Sequence, residues 1–212
     1  MALKVNEIFY SIQGESTYAG RPCVFVRLTG CNLRCSYCDT QYAYEEGDEM
    51  EIDRIVHRVG CYNCPLVEVT GGEPLIQKET PGLVHSLIQE GYKVLTETNG
   101  SQDISRLDDR CVRIVDVKCP ASGEHHHNDL ANLDRLTDGD EIKFVISNRE
   151  DYEFARDMVD SKVLGKNPVH FSPVFGMVES NKLAGWLLDD HLNVRLHLQL
   201  HKIIWEREHR GV

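Results

Sequence analysis

The chain has 212 residues, 41% of them hydrophobic, and a formal net charge of -11 from 23 Lys+Arg against 34 Asp+Glu. This length predicts one domain with a sizeable core and disfavours two, and the acidic balance is the wrong sign for a phosphate-backbone binder, so nucleic acid is not an expected partner. The start MALKVNEIFYSIQGE lacks the apolar core of a signal peptide, and no apolar run approaches the roughly 18 residues of a membrane span. The expected compartment is the cytoplasm, where thiols stay reduced and eight cysteines suggest metal or redox chemistry before disulfides.

In chain order, apolar β-branched runs predict strands at Val5–Ile12 and Cys23–Thr29, separated by too few residues for a parallel crossover and so read as a hairpin or meander. A loop is expected at Glu45–Glu49. Ile52, Ile55, Val56 and Val59 then recur at helical spacing, as do Leu83, Leu87 and Ile88 on either side of the strand Lys93–Thr96's predecessor, Leu66–Thr70. Further strands are predicted at Arg113–Val117, Glu141–Ile146, Val169–Phe171 and Val194–Gln199, with helices at Asn148–Val159 and Asn181–Leu188, the second capped by Ser180 or Asn181. Cys119–Asn128 and the tail Glu206–Val212 read as loops. Strand–helix alternation of this kind builds a mainly parallel sheet in an α/β fold.

Polar and glycine-rich groups follow the strands repeatedly: Thr70-Gly71-Gly72-Glu73-Pro74, Glu97-Thr98-Asn99-Gly100, Lys118-Cys119-Pro120, Ser172-Pro173-Val174 and His201-Lys202. These are C-terminal strand ends, the face on which open α/β sheets and barrels place their sites. Three thiols, Cys31, Cys35 and Cys38, fall within eight residues just after a strand and Gly30. On spacing alone they fit an iron–sulfur cluster with one open metal position, a zinc site completed by Cys61, Cys64, Cys119 or a histidine, or a redox dithiol that leaves Cys31 unexplained. The second pair, Cys61 and Cys64, reads as buried or edge cysteines, and His125–His127 as a solvated loop.

Around the C-x3-C-x2-C spacing the sequence resembles the 7-carboxy-7-deazaguanine synthase family of radical S-adenosylmethionine (radical SAM) enzymes. The matching stretches are Glu7–Glu15, Gly20-Arg21-Pro22, Phe25–Leu28, Gly30–Cys35, Cys38-Asp39-Thr40, Thr70–Pro74, Glu97–Gly100, Asp116–Lys118 and Gln199–Lys202. They keep the family's order over nearly the whole chain. The resemblance implies an incomplete, partial TIM barrel and a single radical SAM core domain over residues 1–212. It implies a 4Fe-4S cluster on Cys31, Cys35 and Cys38, with S-adenosyl-L-methionine bordered by Tyr37, Gly72, Asp116, Val117, Lys118, Ser172, Pro173, Val174 and Phe175. Thr40 would help bind Mg2+, and Glu97 and Asn99 would meet the ribose or the substrate.

The implied substrate is the pterin 6-carboxy-5,6,7,8-tetrahydropterin, bound by Ile12, Gln13, Gly14, Arg27, Thr70 and by His201 from the last strand, with Glu15 close by. Hydrogen abstraction at C6, ring contraction and loss of ammonia would give 7-carboxy-7-deazaguanine. An external electron donor such as flavodoxin and a homodimer are further implications. The alternatives are a radical SAM activase of a glycyl radical enzyme and a non-catalytic zinc-binding protein.

Overall fold

The computed structural model describes residues 1–161, 166–206 and 209–211; Arg207, Glu208 and Val212 of the predicted tail lie outside them. One nine-stranded sheet organises the chain, in the order β3-β1-β2-β4-β5-β6-β7-β8-β9. β1 (Ala2–Ile12) pairs antiparallel with β2 (Pro22–Leu28), as the short connection requires, and with β3 (Asp48–Glu51) on its other side. From β2 onward every pairing is parallel, through β4 (Leu66–Gly71), β5 (Lys93–Thr98), β6 (Val112–Val117), β7 (Glu141–Ile146), β8 (Val169–Pro173) and β9 (Arg195–Leu196). β3 and β9 form the two edges, so the sheet stays open and the fold is a partial TIM barrel.

The helices cover one face. α1 (Ile52–Gly60) buries Ile52, Ile55 and Val59; α2 (Thr80–Gln89) buries Leu83, Val84 and Leu87. α3 (Arg149–Asp160) starts at Asn148, whose side chain accepts the Asp151 N–H at 2.9 Å, and buries Tyr152 and Ala155. α4 (Ser180–Asp189) buries Leu183 and Leu187. Its cap position is Glu179, extended and without a side-chain cap bond, so Ser180 lies inside the first turn and neither it nor Asn181 is the cap.

Because strand side chains alternate, apolar residues such as Phe144 and Phe171, 5.5 Å apart and with Phe171 also against Tyr152 of α3, face the helices. The opposite, inward positions are left to Glu68, Thr70, Glu97, Asp116 and Lys143.

Two expected elements differ. Asp48 and Glu49, read as loop, begin β3, where the polar run Asp48–Glu51 is held by pairing with β1 and buries only Met50. The predicted strand Val194–Gln199 shrinks to Arg195–Leu196. His197 still donates its N–H to Phe171 O, but Leu200 N turns away to Gly14 O and a short helix, α5 (His201–Ile204), follows. His201 is therefore presented by a helix.

Candidate active site

The cysteine loop leaves β2 at Gly30 and is stitched down by its neighbours. Gly30 O accepts the Glu73 N–H at 2.8 Å, and Ser36 donates its N–H to Ser122 O and its hydroxyl to Ala121 O. Leu33, 2% exposed, anchors the middle of the loop. Gly72 sits directly beneath: a Cβ there would lie 2.6 Å from Cys31 Cβ and closer still to Gly30 O. Only a residue without a side chain admits this approach. Glu73, fully buried, accepts from Leu75 N, Thr98 Oγ1 and Asn99 N, and so fixes the turn after β5 as well. Asn99 Nδ2 in turn lies 3.8 Å from Cys31 Sγ.

Cys31, Cys35 and Cys38 are half-buried, reduced, and line a single cavity of about 890 Å³. One tetrahedral zinc, with Zn–S near 2.3 Å, would draw sulfurs to about 3.8 Å of one another. Among the described residues Glu124, His126 and His127 are the one group that brings three metal-ligating atoms within 4.8 Å of one another. Two of the other candidate thiols, Cys61 and Cys64, point elsewhere. Cys61 is exposed at the end of α1 with its Sγ on His57 O, Cys64 is buried with its Sγ on Pro22 O, and Cys119 is buried. Three thiols on one loop facing one cavity fit a cluster that leaves one metal position open. Burial pushes the Cys35 thiol up to about 11 and raises Cys31 as well.

Beside the thiols, Lys118 Nζ bonds Asp116 Oδ2 at 2.6 Å. Burial works against its charge, but Asp116 and the neighbouring Tyr37 and Cys35 hold Lys118 firmly protonated. Among the described residues, Tyr37 Oη and Asp116 Oδ1 have no hydrogen-bond partner and are buried in a cavity wall, where a polar ligand would satisfy them.

The inner end of the cavity is ionic. Lys143, near the middle of β7, pairs with Glu15 and, at 2.8 Å, with Glu97. Burial disfavours its charge, yet Glu15, Glu97 and Asp116 keep Lys143 well above its ordinary pKa. Burial would likewise raise Glu15, but Lys143 and His201, with the bonds from Lys143 and Gln199, hold it ionised. Glu68 is pushed the other way, by burial first and then by the charges of Glu97 and Glu15. Gln13 is held at both ends of its amide: Nε2 donates to the Glu68 carboxyl and Oε1 accepts the backbone N–H of Glu15 at 2.9 Å.

Arg27 enters from β2, directly opposite Glu7 on β1, and its Nε bonds Glu7 Oε1 at 2.7 Å. Tyr42 Oη bonds the same carboxylate oxygen, and the Arg27 guanidinium lies against the Phe9 and Tyr42 rings. Thr40 Oγ1 bonds Asp39 Oδ1 at 2.9 Å, and Asp39 pairs with Lys202 of α5 at 2.5 Å. A Cβ on Gly14 would strike the His201 ring, so the first and last motifs of the chain close against each other.

Of the residues singled out in the sequence, Ile12, Gln13, Gly14, Arg27, the three cysteines, Tyr37, Thr40, Thr70, Gly72, Asp116, Lys118, Val174, Phe175 and His201 line this cavity. Val117, Ser172 and Pro173 do not; they are buried in β6 and β8. The structure adds Glu68 and Lys143, as well as Tyr42, His209, Arg210 and Gly211. The first two had a visible signal, a charge alternating with apolar residues inside a strand; the tail residues had none.

A parallel sheet with a three-thiol loop over the ends of its first strands defines the radical SAM class, and residues 25–119 match the Radical SAM superfamily. Enzymes of this class use a 4Fe-4S cluster and S-adenosylmethionine. The chain is 48% identical to a 7-carboxy-7-deazaguanine synthase of Chlorobaculum tepidum, over 99% of its own length and 97% of the relative's. It is 47% identical to one of Koribacter versatilis, over 99% and 100%. It belongs to the 7-carboxy-7-deazaguanine synthase family. The crystal structure of QueE from Escherichia coli shares the fold, with a TM-score of 0.78 at 23% identity over 94% of both chains.

Proposed function

We propose that this chain, folded as one core domain, converts 6-carboxy-5,6,7,8-tetrahydropterin to 7-carboxy-7-deazaguanine, with ring contraction and loss of ammonia, on the route to queuosine. The observation that supports it best is that one cavity joins the three-thiol loop to an ionic inner end built from Gln13, Glu15, Arg27, Glu68, Glu97 and Lys143. Cys31, Cys35 and Cys38 would hold the 4Fe-4S cluster, which together with S-adenosylmethionine would supply the radical chemistry for hydrogen-atom abstraction. Gly72 lets backbone approach the methionine end. Tyr37, Asp116 and Lys118 border the adenosyl side with Val174 and Phe175, and Val117, Ser172 and Pro173 support that wall from within the strands.

On the substrate side, the fork of Arg27, turned by Glu7, recognises the pterin carboxylate. Gln13 and Gly14, with Ile12 and Thr70, meet the hydrogen-bonding edge of the ring, and His201 closes over it. Thr40 and the neighbouring Asp39 offer hard oxygens of the kind Mg2+ takes, the ion completing its shell with water and substrate. An external donor such as flavodoxin supplies the electron, and the working assembly is a homodimer in the cytoplasm. A cavity closed by both ends of the chain suits a small molecule better than the polypeptide substrate of an activase.

The test is an anaerobic assay of cluster-loaded enzyme with the tetrahydropterin, S-adenosylmethionine, reductant and Mg2+. Formation of 7-carboxy-7-deazaguanine is expected; 5'-deoxyadenosine without that product would overturn the assignment. Thr40→Ala is expected to raise the Mg2+ concentration needed for half-maximal rate.

A further inference from the structure

Outside the cavity, Glu124, His126 and His127 each place one ligand atom within 4.8 Å of the other two. They stand on the loop after β6, where His125–His127 form a short 3-10 turn. His127 Nε2 is 3.4 Å from Glu124 Oε2, and the rings of His126 and His127 are 4.2 Å apart at their centroids.

The carboxylate is held from behind. Its Oε1 accepts the backbone N–H of Arg34 at 3.0 Å, while Glu124's own N–H donates to Ser122 Oγ and that hydroxyl donates to Cys119 O. The rest of the loop is tied down as well: Ala121 N donates to Asp151, and Asn128 bonds both the N–H and the carbonyl of Lys118. A ligand carboxylate with one oxygen fixed by a backbone donor and the other presented outward is oriented as metal ligands are.

Two imidazoles and one carboxylate form a borderline donor set, suited to zinc, nickel, cobalt or ferrous ions and poorly suited to calcium or magnesium, which take oxygen. We propose that Glu124, His126 and His127 form a second metal site, for a divalent transition ion of this class, on the outer edge of the cysteine loop. Both histidines are exposed, so the ion arrives directly from solvent, and three protein ligands leave its remaining positions to water. Since Arg34 lies between Cys31 and Cys35, an ion that fixes Glu124 also fixes the loop; this consequence rests on the cluster being held there, whereas the site itself does not.

Zinc is the probe. Cluster-loaded wild type, the His126→Ala/His127→Ala double variant and Glu124→Gln are each equilibrated anaerobically with zinc, and zinc and iron per chain are counted after desalting. Glutamine keeps an acceptor for the Arg34 N–H but removes the anionic ligand. Wild type is expected to retain one zinc per chain in addition to its iron, the double variant none, and Glu124→Gln to bind about tenfold or more weakly. Equal zinc in wild type and the double variant, or none retained by wild type, would overturn the site. Iron content reports separately on the cluster and is expected to be the same in all three.

Discussion

Lys143 shows how much one side chain can settle. It is a single buried cation facing Glu15 and Glu97, with Glu68 and Asp116 nearby. Replacing it by Met keeps the volume and strands the carboxylates, and breaking a buried pair in this way typically costs about 3–5 kcal/mol. Lys143→Met is expected to lose stability on that scale in urea denaturation, and adding Glu15→Gln to recover part of the loss; a double variant no better than the single would show that the pairing is not what the lysine supplies. The sequence displays the charge, as Glu141-Ile142-Lys143-Phe144, but its partners lie in the loop after β1 and on β5, and no local pattern announces a pairing across the barrel. Gly72 behaves differently. As part of a Gly-Gly turn it was legible, yet its need for hydrogen at Cα comes from Gly30 O and Cys31 pressing on it. Gly72→Ala is therefore expected to cost about 1–3 kcal/mol, the usual range for overpacking, and to lower iron per chain after anaerobic reconstitution. Full iron loading in that variant would show that the loop tolerates the displacement.

Among the elements, long periodic segments were readable and edges were not. The parallel strands combine an apolar helix-facing side with turn residues at their ends, so β4 to β8 emerge from the sequence nearly whole. β3 and β9 sit at the sheet's margins, where pairing rather than side-chain pattern makes the strand; the sequence pattern shows no strand at β3 and overextends β9. Next to β9, His197 packs edge-on against His170 at 5.0 Å, and His170 pairs with Glu141 at 2.8 Å. Burial, reinforced by His170 and Lys143 and opposed by Glu15 and Glu141, holds the His197 pKa down to about 4 from an ordinary 6.5. A base depressed in the folded state is protonated first in the unfolded chain, so its contribution is complete above pH 6.5 and is lost as the pH falls toward 4. The urea midpoint of wild type is expected to fall across that window and that of His197→Gln to fall less. Parallel profiles would place the acid lability elsewhere. Glu141, whose pKa is lowered by the His170 and Thr17 bonds against the effect of burial, adds its own loss at still lower pH.

At the scale of the whole molecule the chain divides its labour. The three thiols, Gly72 and Asn99 all come from the first half, whereas His201 and Lys202 reach the cavity from the far end and close it against Gly14 and Asp39. The order of motifs was written in the sequence; that the last would lock onto the first was not, because the contact exists only once the intervening strands have curved the sheet round. Ending the chain at Leu200 removes α5 and the tail while leaving every strand and the Gln199–Glu15 bond in place. The truncated protein is accordingly expected to load iron and to show the S-adenosylmethionine-dependent change in its cluster spectrum as the full chain does. Its kcat/KM for the tetrahydropterin is expected to drop by about a hundredfold or more, the scale on which lost positioning acts. Equal loss of iron loading would mean that the C-terminal segment supports the barrel itself, and an unchanged kcat/KM would remove His201 and Lys202 from the substrate side.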